Sequence, residues 1–164
     1  MKKFIAITLI IAAIMAFCAC GNDSGSKFEY KTDVTAAQLA EQVTAVNENW
    51  TFVAMDEDYI AGAMKLDVSG YADYVVNING FGTNVDEYGI FKAKDEASVA
   101  AVKEDAENYL KFRLDTWMEE YMPEEKPKLE KAEVKVCGLY VMYAILDDAS
   151  RVDAFAAFET ALKK

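Results

Sequence analysis

The run Tyr140-Val141-Met142-Tyr143-Ala144-Ile145-Leu146 carries no charge and no polar alternation, and it constrains the fold more than any other segment. Its length suits a strand. A strand that is apolar on both faces has no side to give to water, so it must lie centrally in a sheet or carry cover on its second face. The rest of the chain has to supply the partners and the cover.

Those partners are readable in order. Thr35-Ala36-Ala37-Gln38 has capping-box spacing, and Leu39, Val43 and Val46 follow on one face, which predicts a helix ending near Asn47 to Asn49. Trp50 to Met55 is apolar, and Asp56-Glu57-Asp58 can cap a short helix through about Ala63. Tyr74 to Asn79 and Glu87 to Lys94 read as two extended runs joined by Gly80-Phe81-Gly82-Thr83-Asn84, a hairpin. Gly89 inside the second run signals a bulge or a close approach. Asp95 opens a long helix to about Tyr121, carrying Val99, Val102, Ala106, Leu110, Trp117 and Tyr121, with Pro123 and Pro127 beyond its end. Glu133 to Cys137 alternates as a strand leading through Gly138 into the opening run. Asp147 and Asp148 then precede a last helix bearing Val152, Phe155, Phe158 and Leu162.

This order predicts an α+β domain: a mostly antiparallel sheet of about four strands in two hairpin-like pairs, one long helix packed on a face, and N- and C-terminal helices. Which pair lies inside the sheet is left open.

The beginning of the chain has a different character. Lys2 and Lys3 precede an almost wholly apolar stretch from Phe4 to Phe17, closed by Ala19-Cys20-Gly21-Asn22, the layout of an export signal. About 14 residues fall short of the roughly 20 that cross a hydrocarbon core. The junction resembles a bacterial lipobox, with Phe17 departing from the usual aliphatic residue. The expectation is a signal peptide over 1–19, lipidation of Cys20, a Gly-, Ser-, Asn- and Asp-rich tether over 20–33, and one domain over 34–164. That places the protein on the outer face of the bacterial cytoplasmic membrane, joined to it through the lipid.

Charge narrows the partners. Removing Lys2 and Lys3 leaves 15 basic against 28 acidic residues, so the processed chain carries about −13. Nucleic-acid binding needs a basic face and is disfavoured. Histidine is absent, which excludes Ser-His and Cys-His nucleophile pairs and histidine-ligated zinc. Cys137, in a strand-like run, reads as a small buried apolar residue rather than a nucleophile.

The segments Asp86-Glu87-Tyr88-Gly89-Ile90-Phe91-Lys92-Ala93-Lys94-Asp95, Tyr121-Met122-Pro123-Glu124, and Gly138-Leu139-Tyr140-Val141 through Asp147-Asp148, with the charged helix between, resemble a family of bacterial lipoproteins known only as domain of unknown function 4358. The resemblance runs from about Val34 to the end. It implies an extracytoplasmic lipoprotein with no assigned activity and no catalytic residues to carry over.

Candidate chemistry is correspondingly thin. Asp86 and Glu87 beside Asp73 would offer a carboxylate pair for a cell-wall hydrolase, which needs two such groups about 5–9.5 Å apart. Asp56, Glu57 and Asp58 would offer a divalent-cation site but lack calcium-loop spacing, and helix capping explains them as well as it explains Asp147 and Asp148. Gly80-x-Gly82 precedes no helix and is not a phosphate loop. Phe81, flanked by two glycines at the hairpin tip, is the best candidate for an exposed apolar contact, with Tyr88 and Glu87 beside it. The reading is a non-catalytic binding or accessory module for a protein, peptide or cell-envelope component, with no cofactor and no metal; the hydrolase and the cation binder are the alternatives.

Overall fold

The computed structural model of the chain describes residues 29–118 and 120–164. Helix α1 (Ala36–Thr44) is followed by β1 (Phe52–Ala54), α2 (Glu57–Gly62), β2 (Asp73–Asn79) and β3 (Glu87–Lys92). Then come α3 (Val99–Asp115), α4 (Lys126–Glu130), β4 (Glu133–Cys137), β5 (Tyr140–Ile145) and α5 (Asp148–Leu162). The fold is α+β, and the sheet has five strands, all antiparallel, in the order β1-β2-β3-β5-β4.

The two expected hairpin pairs are β2–β3 and β4–β5, and they join through β3 and β5, so β5 is an interior strand. The fifth strand corrects the expectation of about four. Three residues are too few to show alternation, so β1 leaves no periodic trace in the Trp50 to Met55 run.

Every residue of β5 is buried, and the pleat sorts its side chains between two cores. Tyr140, Met142 and Ala144 pack with Leu39 and Val43 of α1 and with Phe155, Phe158 and Leu162 of α5. Val141, Tyr143 and Ile145 pack with Val102, Ala106 and Tyr109 of α3, Ile60 of α2 and Leu129 of α4. The sheet is therefore covered on both faces, the long helix on one and the terminal helices together on the other.

Local signals set the boundaries. The capping box forms, Thr35 Oγ1 accepting from the Gln38 amide at 3.1 Å and Gln38 Oε1 from the Thr35 amide at 3.0 Å. Asp73 adds a second cap from the start of β2, its Oδ2 accepting from the Ala36 amide at 2.7 Å. Asp95 caps a short 3-10 turn at Glu96–Ser98 before α3. The long helix is shorter than expected: Thr116 turns its hydroxyl back on the Phe112 carbonyl at 2.7 Å, and Trp117 and Tyr121 follow outside it. In α5 the buried face takes Arg151 instead of Val152, which is 65% exposed. Arg151 lays its stem on the core while Nη1 donates to the Leu146 carbonyl at 3.2 Å and Nη2 to Asp148 at 3.0 Å.

Residues 29–33, expected to belong to the tether, are part of the folded body. Tyr30 bridges Lys163, the Lys31 amide donates to the Leu162 carbonyl at 2.8 Å, and the Lys164 amide donates to the Glu29 carbonyl at 3.1 Å. The expected signal peptide, Cys20 and the rest of the tether lie outside the described residues.

Gly89 resolves in favour of close approach. The ladders run through it without interruption, Val76 on one side and Tyr143 on the other, so there is no bulge. A Cβ at Gly89 would lie 2.2 Å from Tyr143 Cε1, whereas one at Gly62 meets nothing within 4 Å. Urea denaturation of Gly89→Ala is expected to show a loss of roughly 1–3 kcal/mol from overpacking. Gly62→Ala, at a helix end, is expected to gain about 0.5 kcal/mol. Equal effects at the two sites would overturn the packing argument.

Candidate functional site

Alternation along β3 decides what each candidate can do. Glu87 and Tyr88 are neighbours in the chain and so point to opposite faces of the sheet.

Glu87 turns toward α3 and is 4% exposed. Its Oε1 accepts from the Tyr109 hydroxyl at 2.5 Å and the Tyr143 hydroxyl at 2.6 Å, and Arg113 Nη2 stands 3.3 Å from Oε2. Tyr109 and Arg113 are four residues apart on α3 and share a face, while Tyr143 reaches the carboxylate across the space left by Gly89. Burial first, and then the Glu87 charge, push the Tyr109 and Tyr143 hydroxyls far up, so both are proton donors and neither is a nucleophile. Burial works against the Arg113 charge, but Glu87 with Tyr109 and Tyr143 outweighs it and pushes the guanidinium up. The cluster ties β3, β5 and α3 together with its carboxylate enclosed.

Tyr88 lies on the other face with no exposed surface. Asn77 Nδ2 donates to its hydroxyl at 2.6 Å, the Thr44 hydroxyl stands at 2.7 Å, and Tyr88 is 3.1 Å from the Ala40 carbonyl it donates to. It fastens α1 to the sheet and has no surface to offer a partner.

Phe81 is at the surface, 73% exposed. Its loop is held from within: Asn79 Oδ1 accepts from the Phe81 amide at 2.8 Å, Asn79 Nδ2 donates to Asn84 Oδ1 at 2.5 Å, and Asn84 Oδ1 also accepts from the Asp86 amide at 3.0 Å. Gly82 takes the positive φ of 60° that the reversal requires. An apolar ring is thus presented on a stiff turn. The expected grouping of Phe81, Tyr88 and Glu87 does not form, since one is at the tip and the others are buried on opposite faces.

The carboxylate pair also separates. Asp73 pairs with Lys92 and Glu87 with Ile78, at opposite ends of the β2–β3 ladder, roughly 17 Å apart at 3.3 Å per residue. Asp73 is occupied in capping α1. Asp86 is bound to Lys128 Nζ at 2.7 Å, and Lys128 reaches Glu125 at 2.8 Å. Burial raises the Asp86 carboxyl and Lys128 opposes that rise. Asp56 and Asp147 cap α2 and α5. Among the described residues no group of three Asp, Glu or Cys side chains is arranged to hold a metal ion, and no helix is long and apolar enough to cross a membrane.

Sequence reasoning found Glu87 and missed its partners. The signal was present: a glycine in a strand opposite an aromatic, and a Tyr and an Arg at helical spacing.

The family model described as Domain of unknown function (DUF4358) matches residues 45–146, and the chain belongs to that family. The match is narrower than the span from Val34 to the C-terminus, leaving α1 and α5 outside it. No curated protein and no solved structure matches the chain.

Two measurements check this site. Glu87→Leu leaves two buried hydroxyls and the half-buried Arg113 without their acceptor and is expected to cost roughly 3 kcal/mol in urea denaturation. A loss under 1 kcal/mol would mean that the cluster does not tie the layers together. Alkaline titration tests the buried hydroxyls and thiol. Burial, with help from Cys137, pushes Tyr30 up to about 12, and burial pushes Cys137 up to about 11. Tyr71, Tyr109 and Tyr143 are raised in the same way. A raised folded value means that the unfolded chain loses its protons first, so this contribution is intact below about pH 9 and falls as pH climbs toward 12. Circular dichroism and the tyrosinate absorbance of these raised tyrosines should change together; their ionisation near pH 10 in a folded chain would contradict it.

Proposed function

We propose that this member of the domain of unknown function 4358 family is a lipid-anchored, extracytoplasmic accessory module that binds a protein, peptide or cell-envelope component and performs no chemistry of its own. The observation that carries the reading is Phe81, an exposed aromatic on a turn stiffened by three side-chain hydrogen bonds. Exposing a large apolar ring gains nothing for folding, and holding it rigid lowers the ordering cost of a contact. The most elaborate polar cluster, around Glu87, is closed off and engaged in holding layers together, which favours binding over catalysis.

The anchor reading rests on the Lys2–Lys3 start, the short apolar stretch and the Ala19-Cys20-Gly21 junction. The geometry of the folded body suits it. Tyr30 packs against Gly138 at the β4–β5 turn, and Phe81 stands at the other end of the sheet, about 23 Å away along the seven residues of β2. A chain tethered at its N-terminus would hold the hairpin tip away from the bilayer.

A photo-crosslinking residue placed at position 81 in native membranes is expected to trap a discrete partner, and the same residue at exposed Val152 is not. Phe81→Ala should weaken that association about tenfold or more while stability changes by less than about 0.5 kcal/mol. Identical products from both positions, or a wall fragment trapped covalently on the chain, would defeat the reading. Intact-mass measurement of native material tests the anchor separately, since it requires an acylated Cys20 at the amino end.

A further inference from the structure

The sheet has two edges, and only one is defended. On β4, Glu133 and Lys135 face outward among charges, Lys135 Nζ meeting Glu159 at 2.5 Å and Arg151 Nε standing 3.7 Å from Glu133. Charged side chains on an edge strand discourage pairing with another chain. The β1 edge has none: Trp50 to Met55 is uncharged, Ala54 is exposed, and Val53 is 50% exposed.

Hydrogen-bond parity shows what β1 offers. The Gly80 amide donates to the Thr51 carbonyl at 2.9 Å and the Met55 amide to the Val76 carbonyl at 2.8 Å. Thr51, Val53 and Met55 therefore turn their backbone groups toward β2, and Phe52 and Ala54 turn theirs outward. Those outward N–H and C=O groups have no partner among the described residues. Beside them runs an apolar trough of about 520 Å³ between α1 and the outer strands, walled by Ala37, Ala40, Ala45, Ala54 and Val75, with Glu41 as its charged group.

We propose that the β1 edge and this trough receive an extended segment of another polypeptide as an added sixth strand, with apolar side chains at alternate positions and Lys or Arg at its ends. Outward backbone donors and acceptors two residues apart match an extended main chain, and a trough walled largely by alanines leaves room for apolar side chains. Charge selects the flanks and the kind of partner. Glu48 precedes β1, Asp56, Glu57 and Asp58 follow it, all exposed, and the whole chain carries −11. That field attracts basic flanks and repels a second copy of the same chain. Because Gly80 bonds Thr51, Phe81 stands beside the upper end of this edge; the proposal deepens the binding-module reading and rests on it.

The test pans a random dodecapeptide phage library against the immobilised full chain and titrates the recovered consensus peptide, fluorescently labelled. Alternating apolar residues with basic ends are expected. Ala54→Pro removes one outward N–H without breaking a bond to β2, so it should weaken binding at least tenfold, while Val152→Ala leaves it unchanged. Hydrogen exchange on the wild-type chain needs no variant: the Phe52 and Ala54 amides should gain protection on binding. The proposal is overturned if no such peptide is enriched, if folded Ala54→Pro binds as the wild type does, or if those two amides stay unprotected. It is equally overturned if the wild type elutes as a dimer that Ala54→Pro returns to monomer, since the occupant is then a second copy. Should these arms fail while the crosslink at position 81 persists, the module reading stands and the edge proposal alone is lost.

Discussion

Burial of β5 on both faces is the constraint on which the architecture depends. A strand of Tyr, Val, Met, Tyr, Ala and Ile cannot close one side of a molecule, so two separate layers of helix have to reach it. The layers come from different parts of the chain. Helices α2, α3 and α4 cover one face from within the segment 45–146, while α1 and α5 cover the other from outside it. A unit cut at 45 and 146 would expose Tyr88, Tyr140, Met142 and Ala144 to water. The folded unit is therefore longer than the matched segment, and the Tyr30–Lys163 bridge with the Glu29–Lys164 bond closes its two ends on each other.

Both arginines of the chain turn inward in this arrangement, Arg151 buried and Arg113 half-buried. Arg113 answers the buried Glu87 under α3, and Arg151 answers the carbonyl of Leu146 at the end of the β5 run. A guanidinium suits such places because its charge survives burial and its planar donors can serve a carboxylate or a carbonyl while the stem packs. Most lysines that pair do so on exposed or half-exposed ground, several of them in i,i+4 contacts such as Lys103 with Glu107. Those contribute little to stability. The two arginine sites, Arg151 buried and Arg113 half-buried, instead fix how helices sit on the sheet. Glu87 illustrates the cost and the gain: with Tyr109, Tyr143 and Arg113 in place its desolvation is offset, and without any one of them the others become liabilities.

Legibility in the sequence followed how local each determinant was. Capping is local, and Thr35 with Gln38, Asp56, Asp95 and Asp147 all marked the starts of helices or helical turns correctly. Alternation is nearly local, so β2, β3 and β4 could be read, and the opening apolar run announced that it is central or covered on both faces, while its place between β3 and β4 could not be read. What could not be read depended on partners far along the chain. β1 is a strand only because Asn77, Ile78 and Asn79 lie beside it. Residues 29–33 look like tether by composition and become structure through the last residues of α5. Val152, named for the last helix, is exposed and Arg151 is buried in its stead, because burial of Arg151 is decided by the Leu146 carbonyl and Asp148, which periodicity does not weigh. At the candidate site, Phe81 was legible because a glycine-flanked tip is exposed by its own geometry. Tyr88 was not, because its burial is imposed by α1, which begins more than 50 positions earlier.

The asymmetry of the sheet follows from the same logic. The strand order places β4, with its charges, under the arm of α5, and leaves β1 as a three-residue ending beyond α1. An edge so short contributes little to the sheet, since Phe52 alone of its side chains reaches the core, meeting the Tyr88 ring at 5.0 Å. Selection for stability alone would be satisfied by a charged or proline-blocked edge at that position. An uncharged edge beside an alanine-walled trough, next to a turn carrying an exposed phenylalanine, is the arrangement on which the binding proposal rests. The first described residues gather at the opposite end of the sheet, where Tyr30 meets Gly138, so they and the uncovered groups of β1 do not compete for space.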